Sequence, residues 1–268
     1  MKTIIATIFS LLFVCSIAFA QPYHTKQAPL PCLNKKVSVV AHIVRDSFGN
    51  TGITEEEILA VMDTTNSFFS PICLSFEICE FRMIDNFQYD SLMSENHWEE
   101  MQVKYHQNNR FNLFFVTDII YLPFDCGYAD IGGIQDVTAL GALVKKECVF
   151  EDTKWIAHEI GAYMGLFNTF EGNGIELVNG DNCETDGDQI CDTPSDPYVL
   201  GEAIIPSYLS PQDSCRFIST KTDANGEFYK PHVANVMSQY PSYCACGFTY
   251  EQLLKMANNY LEAEDKMW

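Results

Sequence analysis

Basic residues are scarce. The 268-residue chain carries 16 Lys and Arg against 36 Asp and Glu, a net charge of −20. No local basic run offsets that excess, which argues against nucleic acid and anionic membrane surfaces as partners. After the signal-like start no apolar stretch is long enough to span a bilayer. The sequence also lacks an Asn-x-Ser/Thr glycosylation site, an internal repeat and a low-complexity tract. Cys244-x-Cys246 has no C-x-x-C partner, so a zinc ribbon is a weak reading.

What is present begins with a leader. Lys2, the apolar run from Ile4 to Ile17 and Ala18-Phe19-Ala20 predict a secretory signal peptide over residues 1–20, cut after Ala20. Val14 stands where a small residue would precede an acylated Cys15, which argues against a lipoprotein. Of 11 cysteines Cys15 leaves with the leader, and an even number remains. In an exported chain that predicts disulfides, whose pairing the sequence leaves open. The expected location is secreted or periplasmic.

Residues 21–36 read as a polar, Pro-containing lead-in. Val37–Val44 is a near-continuous apolar run that suits a buried strand. Thr54-Glu55-Glu56-Glu57 is a capping box, followed by Ile58, Val61, Met62, Phe68 and Phe69 at helical spacing. Leu74–Ile84 predicts a strand, Asn96–His106 a helix, Asn112–Val116 and Ala139–Val144 further strands. Alternating strands and helices indicate a layered α/β sheet. From about Gly172 to Ala234 the chain turns rich in Gly, Asp, Asn and Pro, as loops do. A second capping box, Thr249 to Gln252, opens a last helix bearing Leu253, Leu254, Ala257, Tyr260 and Leu261.

The segment His158 to Phe170 carries the chemistry. A helix starting near Asp152 or Thr153 would point Ile156, Ile160 and Tyr163 into a core. Positions 158 and 162 would be neighbours on the opposite face. In the zinc-protease motif H-E-x-x-H-x-x-G-x-x-H, those positions and a third after the glycine hold the metal, and the Glu polarises its water. Here His158, Glu159 and Gly165 match, while Ala162 and Asn168 stand in the other ligand positions. Ala162 has no donor atom, and an amide oxygen is a poor zinc ligand. A lone imidazole falls far short of the roughly 10–16 kcal/mol that several ligands supply together.

Together with its surroundings, this segment resembles the pappalysin family of metzincin metalloproteases over about residues 37–262. His158-Glu159-Ile160-Gly161, Gly165-Leu166 and Thr169-Phe170-Glu171-Gly172 match the family's helix motif apart from the two histidines. Gly187-Asp188-Gln189-Ile190-Cys191-Asp192-Thr193-Pro194 is similar to its G-D-x-V-x-D-T-P loop. Asn235-Val236-Met237-Ser238 is similar to its Met-turn, and Cys244, Phe248-Thr249 and Gln252 to the segment beyond.

The resemblance implies an α/β (α+β) metzincin-like domain over 37–264, with lobes of about 37–167 and 168–264. The first would hold a mixed twisted sheet and the active-site helix. The second would be loop-rich, with the Met-turn and a C-terminal helix. Met237 would floor the metal position. The family's oxyanion tyrosine is replaced by Gln239, with Tyr240 next to it. His232 is the candidate substitute ligand. Asp186, Asp188 and Asp192, with Asp181 and Asp196, form an acidic loop that suits calcium.

Three functions remain in view. The first is an exported pseudoprotease with no cofactor, whose cleft binds a polypeptide or extracellular protein along an edge strand, placed at Ala139–Val144. The alternative is an active secreted zinc metalloendopeptidase with an altered ligand set. The third is a structural surface protein that uses the fold as a stable body.

Overall fold

The computed structural model describes residues 28–136, 139–149 and 153–263. The leader, most of the lead-in with His24, and Asp152 lie outside them. In chain order the elements are β1 (Lys35–Val44), α1 (Glu55–Phe69), β2 (Leu74–Ile84), β3 (Ser91–Leu92), α2 (Glu95–Tyr105), β4 (Phe111–Val116), β5 (Asp118–Ile119), β6 (Gly127–Ala129), β7 (Gly141–Lys145), α3 (Trp155–Tyr163), α4 (Ile204–Ser207) and α5 (Tyr250–Glu262).

Five strands form one sheet in the order β2-β1-β4-β7-β6. The first four run parallel, and β6 pairs antiparallel with β7. Parallel strands are covered on both faces, and the near-continuous apolar runs of β1 and β4 reflect that. Val37, Val39, Ala41 and Ile43 face a core shared with α1, α3 and α5. Val44, Phe114, Val116 and Leu143 face the other way, onto Trp98 and Met101 of α2. The expected α/β class is therefore the observed one, a twisted and mostly parallel sheet between helices.

One expectation needs correcting. Ala139–Val144 was expected at the sheet edge, but β7 lies inside, between β4 and β6. The edge is β6, which follows Cys126 and has too few apolar residues to announce itself. Both capping boxes form: Thr54 with Glu57, and Thr249 with Gln252.

Beyond residue 170 regular structure is sparse. A second apolar cluster there gathers Phe170, Tyr198, Tyr208, Leu209, Val233 and Tyr240. Four disulfides join Cys32–Cys73, Cys126–Cys148, Cys183–Cys191 and Cys215–Cys244. Cys79 and Cys246 stand outside them. Four disulfides fit a chain that matures in an oxidising compartment. Among the described residues no helix is long and apolar enough to cross a membrane.

Candidate functional site: a cleft at the edge strand

Helix α3 is buried on nearly every side, from Ile156 to Tyr163. Such a helix must be apolar all round, and the few polar groups it carries stand out. Its start differs from the expected cap. Lys154 occupies the N-cap without a side-chain cap bond, while Thr153 Oγ1 accepts from the Trp155 N–H at 3.1 Å. Its end follows from Gly165, at φ +99°, where a Cβ would collide with Asn259 of α5. The Asn259 amide instead donates to the Met164 carbonyl at 2.7 Å, closing the helix. Gly161 matters as well, because a Cβ there would lie 2.8 Å from Met237 Sδ. The thioether thus packs directly against the helix, in the turn Asn235–Ser238, where Asn235 Oδ1 accepts from the Met237 N–H at 2.8 Å.

His158, Glu159, Ala162 and Asn168 all line one cavity of about 750 Å³, with Trp155, Asp125, Gly127 and Gln239. The chain leaving Gly165 has carried Asn168 back to the cavity that His158 lines. Nδ1 of His158 donates to the Val236 carbonyl at 2.9 Å. Burial pushes the imidazole down to about 4; the Lys154 charge adds to this, and the hydrogen bond to Val236 opposes it. The ring is therefore neutral at physiological pH.

Glu159 lies under the edge strand. A Cβ on Gly127 would sit 2.7 Å from its Cγ and Oε1, so only glycine leaves it room. Burial raises its carboxyl well above the usual range, and Asp125 raises it further.

Behind the helix Lys154 is wholly buried. It donates to the Ser238 carbonyl and, at 3.1 Å, to Ser238 Oγ. Burial pushes its ammonium down to about 7, opposed by Asp196. Asp196 in turn accepts from Tyr240 and from Thr169, each at 2.8 Å. The Tyr240 hydroxyl is thereby held in the core, away from the cavity. Gln239 does reach the cavity rim, and its amide donates to the Phe124 carbonyl at 3.1 Å. It ties the turn to the segment leading into β6.

His232 is exposed and does not line the cavity. The zinc that such folds imply finds one imidazole, a methyl group and a carboxamide at the three converging positions. Those residues do not fit a catalytic zinc. Among the described residues no group of three His, Cys, Asp or Glu is placed to hold a metal ion.

In the acidic loop, Glu176 and Asp188 are both buried. Burial, then the neighbouring Asp188 and Asp186, push Glu176 up to about 8. Burial pushes Asp188 up to about 7, against the hydrogen bond that Oδ1 accepts from the Ile190 N–H. Asp188 Oδ2 and Asp192 Oδ1 have no hydrogen-bond partner. Glu176 reaches this loop because Gly187 has no Cβ to obstruct its carboxylate. The motif reading did not include Glu176, which lies outside the G-D-x-V-x-D-T-P match.

The sequence matches no protein-family profile and no curated protein. Among solved structures it is similar to mirolysin in complex with a compound. That likeness has a TM-score of 0.56 at 16% identity, over 90% of this chain and 100% of that one. The chain has a metalloprotease fold. Metalloproteinase-II from Bacteroides fragilis overlaps 55% of this chain and 47% of its own, at 14% identity and a TM-score of 0.34, too low to carry weight. Within the metalloprotease fold, β6 is the edge strand over the cavity and α3 is its floor. Sequence reasoning missed β6, Asp125 and Lys154; the only signal was Gly127 beside a cysteine.

Proposed function

We propose that this chain is an exported, pappalysin-like protein that binds a polypeptide in its cleft and does not hydrolyse it. The donor set at the cavity floor supports this most directly. A zinc-hydroxide mechanism needs a metal held by several ligands and a carboxylate free to accept a proton. Here one imidazole remains, beside a methyl group at position 162 and a carboxamide at position 168. Without a metal held there, Glu159 has no activated water to take a proton from. What persists is shape: a cavity of about 750 Å³ beneath an open strand edge, suited to strand addition. Eight cysteines in disulfides favour export.

The test is zinc content of the purified mature protein alongside casein or gelatin cleavage. The expected result is no retained zinc and no cleavage. One zinc per chain, removed by a chelator together with proteolysis, would overturn the reading in favour of the altered-ligand enzyme.

We also propose that the acidic loop takes calcium, through the Glu176 and Asp188 carboxylates with backbone carbonyls and water, since among the described residues no three acidic side chains converge there. The orphaned oxygen of Asp188 supports this. The sign of the pH effect follows from the raised carboxyls. Between their ordinary values and about 8 for Glu176 or about 7 for Asp188, the folded state holds protons that the unfolded chain has released. Stability in chelator should therefore fall as pH rises from 5 to 8. Calcium should raise Tm by several degrees at pH 8 and little at pH 5. Glu176→Gln should flatten the pH slope and remove the calcium response. A calcium response that survives in Glu176→Gln would sink the assignment.

A further inference from the structure

The cavity does not end beneath β6. It continues to α2, on the opposite face of the sheet, where Glu95, Trp98, Glu99, Gln102 and Val103 line it. Those positions form one helical face. Strand β6 itself alternates between the two sides. Ala129 joins the core under α3, while Tyr128 packs edge-on against Trp98 with ring centroids 6.5 Å apart. An added strand would alternate in the same way, sending successive side chains to opposite sides.

Both sides are acidic. Asp125 and Glu159 line the α3 side, and Glu95 and Glu99 the α2 side. Among the described residues no Lys or Arg lines the cavity. None of these four carboxyls is in an ion pair; the ion pairs present lie elsewhere, as Lys145–Asp118 and Lys146–Asp90 do. Two buried groups along this channel lack partners. Glu159 is 5% exposed, and its carboxyl has no hydrogen bond among the described residues. Trp98 is 1% exposed, and its indole N–H is unpaired. An unpartnered acid calls for a cation, which the Lys or Arg side chain of a polypeptide supplies.

We infer that this two-sided acidic channel receives an extended cationic segment of another protein along β6, with Lys or Arg side chains reaching Asp125 and Glu159 on one side and Glu95 and Glu99 on the other. The inference rests on the peptide-binding reading above and adds the partner's chemistry. Consecutive basic residues suit it, because neighbours on a strand go to opposite sides and each side is acidic. A second copy of this chain is a poor occupant, since its net charge is −20.

The experiment uses the mature protein and three fluorescein-labelled peptides of one length, rich in Lys, Gln or Glu on a common Val/Thr background. Anisotropy should rank them Lys, then Gln, then Glu. The Lys peptide should bind at least about tenfold tighter than the Gln peptide at low salt, with the gap closing as salt rises. Glu95→Gln with Glu99→Gln should weaken the Lys peptide about five- to tenfold and leave the Gln peptide unchanged. Glu55→Gln with Glu56→Gln, on exposed residues of α1 away from the cavity, should change neither. If the Lys and Gln peptides bind equally, or both double variants weaken binding alike, the acidic channel is overturned while the peptide cleft stands. If no peptide binds, the cleft reading fails, and the cationic partner with it.

Discussion

The Ala162→His/Asn168→His protein should take up one zinc ion per chain. His158 already presents a neutral imidazole, and positions 162 and 168 open onto the same cavity. Three imidazoles there would form a ligand set adequate for a catalytic zinc. Apparent binding should reach the order of 10 kcal/mol at neutral pH, against little or none in the parent. Uptake should fall below about pH 6, as the new histidines gain protons. Peptide cleavage should return weakly at best, because Gln239, at the position where the family resemblance implies an oxyanion tyrosine, turns to the Phe124 carbonyl. Metal analysis and a chelator titration provide the check. A folded double variant without zinc would show that these three positions do not converge as described.

Gly141→Ala should be among the most damaging single-methyl additions in the sheet. Gly141 has φ +153°, and a Cβ there would collide with the Asn112 carbonyl on β4. The obstacle is backbone in the parallel pair Asn112–Gly141, so no side chain can swing away to relieve it. Asn112 is already fixed by His42 at 2.9 Å and by the Gln107 N–H at 2.7 Å. A loss of at least about 3 kcal/mol is expected, through strain at a special backbone position. For a chain of this size that lowers Tm by roughly 6–12 °C. Thermal unfolding followed by circular dichroism measures it; a shift within a degree of the parent would show that β4 and β7 are not paired in this register. The cleft should weaken in step, since β7 carries β6.

Much of the frame was legible because its signals are local. Val37–Val44 is apolar at consecutive positions because helices cover both faces of β1. Thr54 and Thr249 announce their helices through side chains that close on residues three positions ahead. The adjacency of 158 and 162 follows from the helix period, and the return of 168 beside them from the zinc-protease motif that the segment resembles. What was illegible depends on distant partners. Strand β6 is three residues long and owes its place to pairing with β7 and to the Cys126–Cys148 link. Lys154 gives no sign in the sequence of being wholly buried; Ser238, far along the chain, receives it. That the Tyr240 hydroxyl turns inward, next to Gln239, depends on Asp196, a residue far away in sequence. His232 sits close to Met237 in sequence, yet its side chain faces solvent, because a loop's side-chain directions follow no period.

The far border of the sheet is shaped differently from the one above the cavity. Between Val39 and Val40 the pairing of β1 with β2 slips by one residue, and Cys79 is the extra residue. A bulge there bends the outer strand and interrupts its ladder of donors and acceptors, while Glu77, Glu80 and Arg82 flank it with charge. Self-association through that border is discouraged. Of the two borders of the five-stranded sheet, the β6 rim is thus the one left without such a barrier.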